Sequence, residues 1–203
     1  FCGNIGMQNL EGASVELSGH LMRSPLYDDL SKTLVALFPF PHAVIASSGA
    51  RANLNALKLA REKKNPPLNA TMFAFLNAFH GRSPTMEALS GEQKTLLSPR
   101  ANIETIPFYS PKTPNAAVQE FDKLLNQTNI IPFCFFVELF QGEGGFNYAP
   151  PEFFIPLFSR CQSRGIIVIV DEIHTNCRTG YPLLLQRFDL VQFADIATIG
   201  KAS

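Results

Sequence analysis

Hydrophobic residues follow two patterns along this chain, short continuous runs and stripes at helical spacing. The continuous runs are typical of strands that are buried on both faces, as in a parallel sheet. They predict strands at 43–47, 71–76, 132–139, 165–172 and 196–200.

The second pattern predicts helices between these runs. Leucines recur at helical spacing over 26–38, and "ARANLNALKLAREKK" at 50–64 has high helix propensity. Thr113 with Pro114 predicts the N-cap and first position of another helix, and Pro151 opens a further one. Residues 88–112 show little periodicity and predict loop with short strands.

The alternation of predicted strands and helices indicates an α/β fold. A mostly parallel central sheet with helices on both faces, a three-layer sandwich, follows from it. No repeat or internal linker divides the 203 residues, so we expect one domain. Ligands of such sheets bind beyond the carboxyl ends of the strands.

Composition narrows the possible partners. The formal net charge is zero, which argues against nucleic acid because phosphate binding leaves a basic footprint. No stretch of about 18 apolar residues lacks charges, so no membrane span is expected. No signal peptide is visible, and we expect a cytoplasmic protein.

The four cysteines form no CxxC pair and show no metal-ligand spacing, so neither zinc nor disulfides are expected. Cys134 and Cys161 lie in apolar runs and are predicted to be buried, reduced thiols. The chain begins at Phe1 and ends directly after "ATIGKAS", and we expect a piece of a longer protein.

Polar and acidic residues follow three of the predicted strands. Ser47 to Ala50 follow the first, Glu138 and the loop with Glu143 follow the second, and Asp171 with Glu172 ends the third. In a parallel sheet these groups meet at the carboxyl edge. A helix N-terminus there suits an anionic group, and a carboxylate suits a protonated nitrogen.

Each of these signals has a plainer interpretation when taken alone. An aspartate at a strand end often forms a turn or caps a helix, and "SSG" before a helix is often only an N-cap. His80 beside Phe79 is compatible with simple aromatic packing. "GKAS" resembles the end of a P-loop but lacks its first glycine, whereas Lys201 alone could be an amine that forms a Schiff base.

Five ordered segments together resemble the class III pyridoxal-phosphate-dependent aminotransferases, the ω-aminotransferase group. "SSGARANLNALKLARE" is similar to the family's SGxEANExALKLAR, and "AFHGRS" to its AFHGRT. "VELFQGEGG" with "APPEFF" is similar to VEPIQGEGG followed by PPEF. "VDEIHTNCRTG" is similar to DEVQTGFGRTG, and "ADIATIGKAS" to PDIxTxGKAL. The resemblance covers nearly the whole chain.

The resemblance implies pyridoxal 5'-phosphate as the cofactor and gives roles to individual residues. Lys201 would be the lysine that forms the Schiff base and later moves a proton. Asp171 would hydrogen-bond the pyridinium nitrogen, which keeps the ring able to accept electrons. Gly49 and Ala50 would offer backbone N–H groups to the cofactor phosphate.

Further residues would surround the ring. Phe79 would stack on one face and Ile173 would pack against the other. His80 would shape the loop next to Phe79, and His174 would lie near the 3-hydroxyl group.

The implied reaction moves an amino group from an ω-amino acid or an ornithine- or acetylornithine-like donor to a keto acid such as 2-oxoglutarate. Glu138 and Glu143 would line the substrate side. Members of the family work as homodimers. Residues 1–203 would form the cofactor-binding large domain, without its amino-terminal segment and without the small domain that follows the lysine.

The chain departs from the family pattern at several positions near the expected site. Arg51 replaces the glutamate of SGxEAN, His174 replaces the glutamine after DEV, and Leu139 replaces the proline of VEP. The loop at 175–180 is one residue shorter than TGFGRTG. Two other interpretations therefore stay open: a truncated or degenerate relative that keeps the fold without catalysis, and an unrelated nucleotide-binding α/β domain.

Overall fold

A computed structural model describes residues 25–90 and 102–201. The helices in these residues are α1 (Pro25–Leu37), α2 (Gly49–Lys64), α3 (Pro84–Leu89), α4 (Ala116–Leu125), α5 (Pro151–Arg164) and α6 (Leu184–Arg187). The strands are β1 (Thr71–Phe75), β2 (Asn102–Ile106), β3 (Pro132–Val137), β4 (Phe140–Gln141), β5 (Asn147–Tyr148), β6 (Ile167–Asp171) and β7 (Ile196–Thr198).

The five longer strands form one parallel sheet in the order β2-β1-β3-β6-β7. Strands β4 and β5 pair separately as a small antiparallel ribbon. All residues of β1 and β6 are buried. The predicted parallel sheet is confirmed, and its central strands read as continuous apolar runs because both faces are covered.

The two faces of the sheet carry different layers. Alternate residues of the strands, such as Phe73 and Phe135, pack against α4 and α5, where Phe121 lies 5.0 Å from the Phe73 ring. The residues between them, such as Cys134 and Phe136, pack with α2 and α3. This two-residue alternation produces the three-layer sandwich that the sequence predicts.

Most predicted elements are confirmed within one or two residues, but residues 43–47 form no strand. Val44 is 56% exposed, and no strand of the described residues pairs with this segment. Its four apolar residues were too short a run to distinguish a strand from an extended approach to α2.

Two helix predictions also need correction. The segment after "HGRS" contains the unpredicted helix α3, although Pro84 at its first turn is a recognisable start signal. Helix α4 begins at Ala116 rather than at Pro114, because the Ala116 N–H donates to the Thr113 carbonyl in a turn that precedes the helix. Residues 91–101, part of the predicted loop-rich segment, lie outside the described residues.

Cys134 and Cys161 are buried free thiols, as predicted, and burial raises the pKa of both. Cys177 is free and exposed, and Cys2 lies outside the described residues. Among the helices of the described ranges, none has the length and apolar character needed to cross a bilayer.

Candidate active site

A cavity of about 190 Å³ opens at the carboxyl edge of the sheet. Its walls come from the start of α2, from residues 79–81 after β1, from Glu138 after β3, from Asp171, Ile173 and His174 at the end of β6, and from Lys201 after β7. Parallel strands bring these distant segments together because their carboxyl ends share one edge.

The cavity collects nearly all of the residues that the sequence singled out. It is lined by Gly49, Ala50, Phe79, His80, Glu138, Asp171, Ile173, His174 and Lys201. Glu143 is exposed on the neighbouring loop and does not line the cavity. The positions are therefore observed, while the role of each residue stays a prediction.

Asp171 is fixed at the floor of this cavity by three hydrogen bonds. Its Oδ2 accepts from Asn53 Nδ2 at 2.7 Å and from His80 Nδ1 at 2.9 Å, and its Oδ1 accepts from the Ile173 N–H at 3.0 Å. An ionised carboxylate has about four acceptor positions. Oδ1 therefore keeps one position for a further donor on the cavity side.

Asn53 is the main residue that the sequence analysis missed. Besides Asp171, its amide donates to the His80 carbonyl at 2.8 Å, and its Oδ1 accepts from the Thr198 hydroxyl at 2.6 Å. The side chain is 1% exposed. A buried asparagine on the apolar face of a helix was the available signal, because such a group needs partners.

The start of α2 presents backbone N–H groups to the cavity. Ser48 caps the helix by accepting from the Arg51 N–H at 3.2 Å, and the Ala52 N–H donates to the Ser48 carbonyl. The N–H groups of Gly49 and Ala50 precede the first intrahelical bond, so they are free to bind an anion.

Two glycines allow close packing around this helix start. A Cβ on Gly49 would lie 2.9 Å from Ile173 Cδ1, and a Cβ on Gly81 would lie 2.6 Å from the Ala50 Cβ. Gly81 also has φ +120°, which side chains rarely adopt. Because Gly49 and Gly81 have no side chain, the 79–81 loop and Ile173 can approach the same free N–H groups.

Glu138 adds a second carboxyl group to the cavity wall. Burial and the neighbouring charge of Asp171 raise its pKa to about 8, although its Oε2 accepts from the Phe79 N–H at 2.8 Å. At neutral pH this carboxyl is largely protonated. It can therefore donate a hydrogen bond into the cavity as well as accept one.

Glu172 does not join the cavity, which corrects the expectation that both acids of "DE" share the carboxyl edge. The side chain is fully buried and accepts from the Leu184 N–H at 3.0 Å and the Leu185 N–H at 2.7 Å, and also from the Thr175 hydroxyl. Burial raises its pKa. Successive strand residues point to opposite sides, so Glu172 attaches the loop to α6 instead.

Lys201 stands at the opening of the cavity, directly after β7. Its Nζ lies 3.2 Å from Nδ1 of His174, and its φ of 58° places it in the left-handed region. The preceding Gly200 N–H donates to Asn176 Oδ1 at 3.2 Å, which ties the lysine segment to the loop after β6. The family motif that this loop resembles has glycine where this chain has Asn176.

Comparison with known proteins agrees with this arrangement. The sequence profile of the family described as Aminotransferase class-III matches residues 7–203. The acetylornithine aminotransferase of Halalkalibacterium halodurans is 31% identical over 186 residues, covering 90% of this chain and 44% of that protein. A Bacillus subtilis protein named "Probable 4-aminobutyrate aminotransferase" is 28% identical over 203 residues, covering 90% and 45%.

Solved structures give the same result. An (S)-enantioselective omega-transaminase from Thermomicrobium roseum superposes with a TM-score of 0.75 at 25% identity, over 87% of this chain and 43% of that one. The ornithine aminotransferase of Toxoplasma gondii gives 0.68 at 28% identity, over 86% and 41%. Another structure of the Toxoplasma gondii ornithine aminotransferase, 26% identical to this chain, has PLP at partial occupancy in its active site.

The chain belongs to the class III aminotransferase family. The resemblance seen in the sequence and the predicted three-layer α/β fold are both confirmed. Class III aminotransferases use pyridoxal 5'-phosphate. The chain spans about 45% of the length of the curated relatives it matches.

Proposed function

We propose that this chain is most of the large, cofactor-binding domain of a pyridoxal-phosphate-dependent aminotransferase. The observation that carries the proposal is the convergence of the Asp171 carboxylate and the Lys201 amine on one cavity, with the start of α2 in its wall. An intact acid and amine in this arrangement favour an aminotransferase over a degenerate relative or an unrelated nucleotide-binding domain.

The cavity residues fit the proposed cofactor. The free N–H groups of Gly49 and Ala50 would bind the phosphate group, and the remaining acceptor position of Asp171 would bind the protonated ring nitrogen. Phe79 and Ile173 would cover the two faces of the ring. When bound, the cofactor supplies an electron sink for the substrate carbon.

The chain itself supplies the proton chemistry. Lys201 would act as covalent anchor and, once released, as the general base and acid beside the reacting carbon. Hydrogen bonds from Asn53 and Ile173 would hold the Asp171 carboxylate in place for the ring nitrogen. Burial of its carboxylate at 6% exposure keeps water from competing with the ring nitrogen.

The substrates, assembly and location are part of the same proposal. We infer an ω-amino or ornithine- or acetylornithine-like donor and a keto acid such as 2-oxoglutarate, consistent with the names of the relatives. Glu138 and Glu143 would lie on the substrate side. A homodimer is proposed from the resemblance and from large exposed apolar residues such as Phe146 and Tyr181. A cytoplasmic location agrees with the reduced buried cysteines.

Cofactor binding can be tested directly on this chain. We expect added pyridoxal 5'-phosphate to produce a visible absorbance band, and borohydride to fix the cofactor onto Lys201, located by peptide mass spectrometry. Lys201→Ala should lose the band and the modified peptide. Lys63→Ala should keep both, since Lys63 lies at the other end of α2 and pairs with Asp195.

Failure of borohydride to modify Lys201 in the folded chain would contradict the proposed function. The donor class has a separate readout, which is formation of glutamate from 2-oxoglutarate with 4-aminobutyrate or N-acetylornithine. Cofactor fixation without transfer from either donor would overturn the donor proposal while leaving the cofactor site intact.

A further inference from the structure

The Lys201 amine contacts the imidazole of His174. The family that the sequence resembles has a glutamine at this position. Nζ of Lys201 lies 3.2 Å from Nδ1 of His174. In the part of the chain that the structure describes, this is the one hydrogen-bonding partner of the amine. The contact joins the exposed lysine side chain to the loop after β6.

Gly142 makes room for the imidazole at this place. A Cβ on Gly142 would lie 2.4 Å from both Nδ1 and Cε1 of His174 and 3.0 Å from its Cγ. The φ of Gly142 is not in the left-handed region, so its backbone would accept alanine. The imidazole is the nearest group that a larger residue there would meet, on the side of the ring that carries the atom facing Lys201.

The surroundings of His174 favour the neutral ring. Burial, together with the charges of Lys201 and Arg178, lowers the pKa of His174, and Glu143 and Asp171 oppose this in part. The ring of Phe140 lies 6.4 Å away, centre to centre, and carries no charge. A neutral imidazole protonated at Nε2 offers Nδ1 as an acceptor.

We propose that His174 is a positioning residue for Lys201: its neutral imidazole accepts a hydrogen bond from the lysine amine, and protonation of the ring releases that amine. Gly142 supplies the space in which the ring can do so. This inference rests on the proposed role of Lys201 as the reacting amine. It gives His174 a function that a glutamine, whose amide does not titrate, cannot perform.

The pH dependence follows from the sign of the shift. Because the pKa of His174 is lowered, the ring stays neutral down to a pH below about 6.5, and the hydrogen bond persists over that range. As the pH falls through the shifted pKa, an imidazolium forms beside the ammonium group of Lys201. Repulsion between these like charges then moves the lysine away from the ring.

The first test measures His174 itself by NMR titration of the labelled full chain. The signal is assigned by its loss in His174→Gln. We expect the pKa of His174 to rise toward the ordinary value of about 6.5 in Lys201→Met, because the neighbouring positive charge is removed. His42 is exposed, so its titration should be unchanged and serves as the internal control.

The second test follows the lysine through competitive acylation with acetic anhydride and peptide mass spectrometry. In the unmodified chain, the acylation rate of Lys201 should show an inflection at the pKa of His174. His174→Gln should remove that inflection, and Gly142→Ala should remove it by displacing the ring. His42→Gln should leave it in place, and Lys63 provides the reference rate.

An unchanged His174 titration in Lys201→Met, or an inflection that survives both His174→Gln and Gly142→Ala, would overturn the inference. Circular dichroism checks that each variant is folded. Borohydride fixation of the cofactor is independent of both measurements. If borohydride does not fix the cofactor but the Lys201 and His174 side chains still influence each other's titration and acylation, the proposed function is contradicted and the contact between the two residues is not.

Discussion

At the scale of single residues, hydrogen bonds between neighbouring side chains orient the groups that line the cavity. Asp171 has three hydrogen bonds and one free acceptor position, and Asn53 contributes a bond that also joins α2 to β7 through Thr198. The acid is therefore oriented by the fold before any ligand arrives. Such prior orientation reduces the ordering cost of binding.

Replacement of Asn53 tests this arrangement. Asn53→Ala should lower the free energy of unfolding by about 2–3 kcal/mol, because it leaves the His80 carbonyl and the Thr198 hydroxyl buried without partners. It should also weaken cofactor binding, since Asp171 loses a bond. Urea unfolding at a fixed pH measures the first effect, and spectroscopic titration measures the second.

The matched control is Asn55→Ala, which makes the same change at a half-buried position of the same helix. Within residues 25–90 and 102–201 the Asn55 side chain has no hydrogen-bond partner, so the free energy of unfolding of this variant should change by less than about 0.5 kcal/mol. Equal losses for the two variants would contradict the role of the buried network, because alanine has the higher helix propensity and brings no loss of its own.

At the scale of elements, the N-terminus of α2 links fold and site. Ser48 caps the helix, and the next two residues present their N–H groups to the cavity. Leu57 and Ala60 on the same helix pack against the sheet, so the position of the N-terminus is set by core packing. The same helix is thus both part of the core and the wall that would bind an anion.

The cap can be removed by a single substitution. Ser48→Ala should lower the free energy of unfolding by about 1 kcal/mol, because the Arg51 N–H loses its acceptor. Ser47→Ala, one residue earlier and exposed, should be close to neutral. Chemical denaturation of both variants measures the difference, and a loss no larger for Ser48 than for Ser47 would contradict the capping role.

At the scale of the whole molecule, the sheet separates two layers that are both rich in large apolar side chains. Cys134 belongs to the α2 side and Cys161 to the α4 and α5 side, and both are fully buried. Their thiols therefore report on opposite layers of one sandwich. If the domain unfolds as a unit, the two layers must open together.

Thiol labelling tests this cooperativity in a Cys2→Ser background. Cys177 is exposed and should react within the mixing time. Cys134 and Cys161 should react at least about 1,000-fold more slowly under native conditions, because burial both covers them and raises their pKa. Peptide mass spectrometry should show equal rates for the two.

Clearly different rates for Cys134 and Cys161 would show that one layer opens independently of the other. Labelling in urea provides the control, because all three thiols should then react alike. Agreement between the labelling rates and the free energy of unfolding measured by circular dichroism would confirm that both thiols report global opening.

The sequence by itself determined the class of fold and most of the site. Four of the five continuous apolar runs form strands of one parallel sheet, and most of the polar residues singled out after them gather at its carboxyl edge. That edge therefore brought Asp171 and Lys201 to one cavity, as predicted.

Only the tertiary structure decided which way each of these polar side chains points. It turned Glu172 toward α6, left residues 43–47 without a strand, and brought Asn53 beneath Asp171. It also placed His174 next to Lys201, through the space left by Gly142. These outcomes depend on contacts between residues far apart in the chain, and no local pattern of hydrophobic and polar positions encodes them.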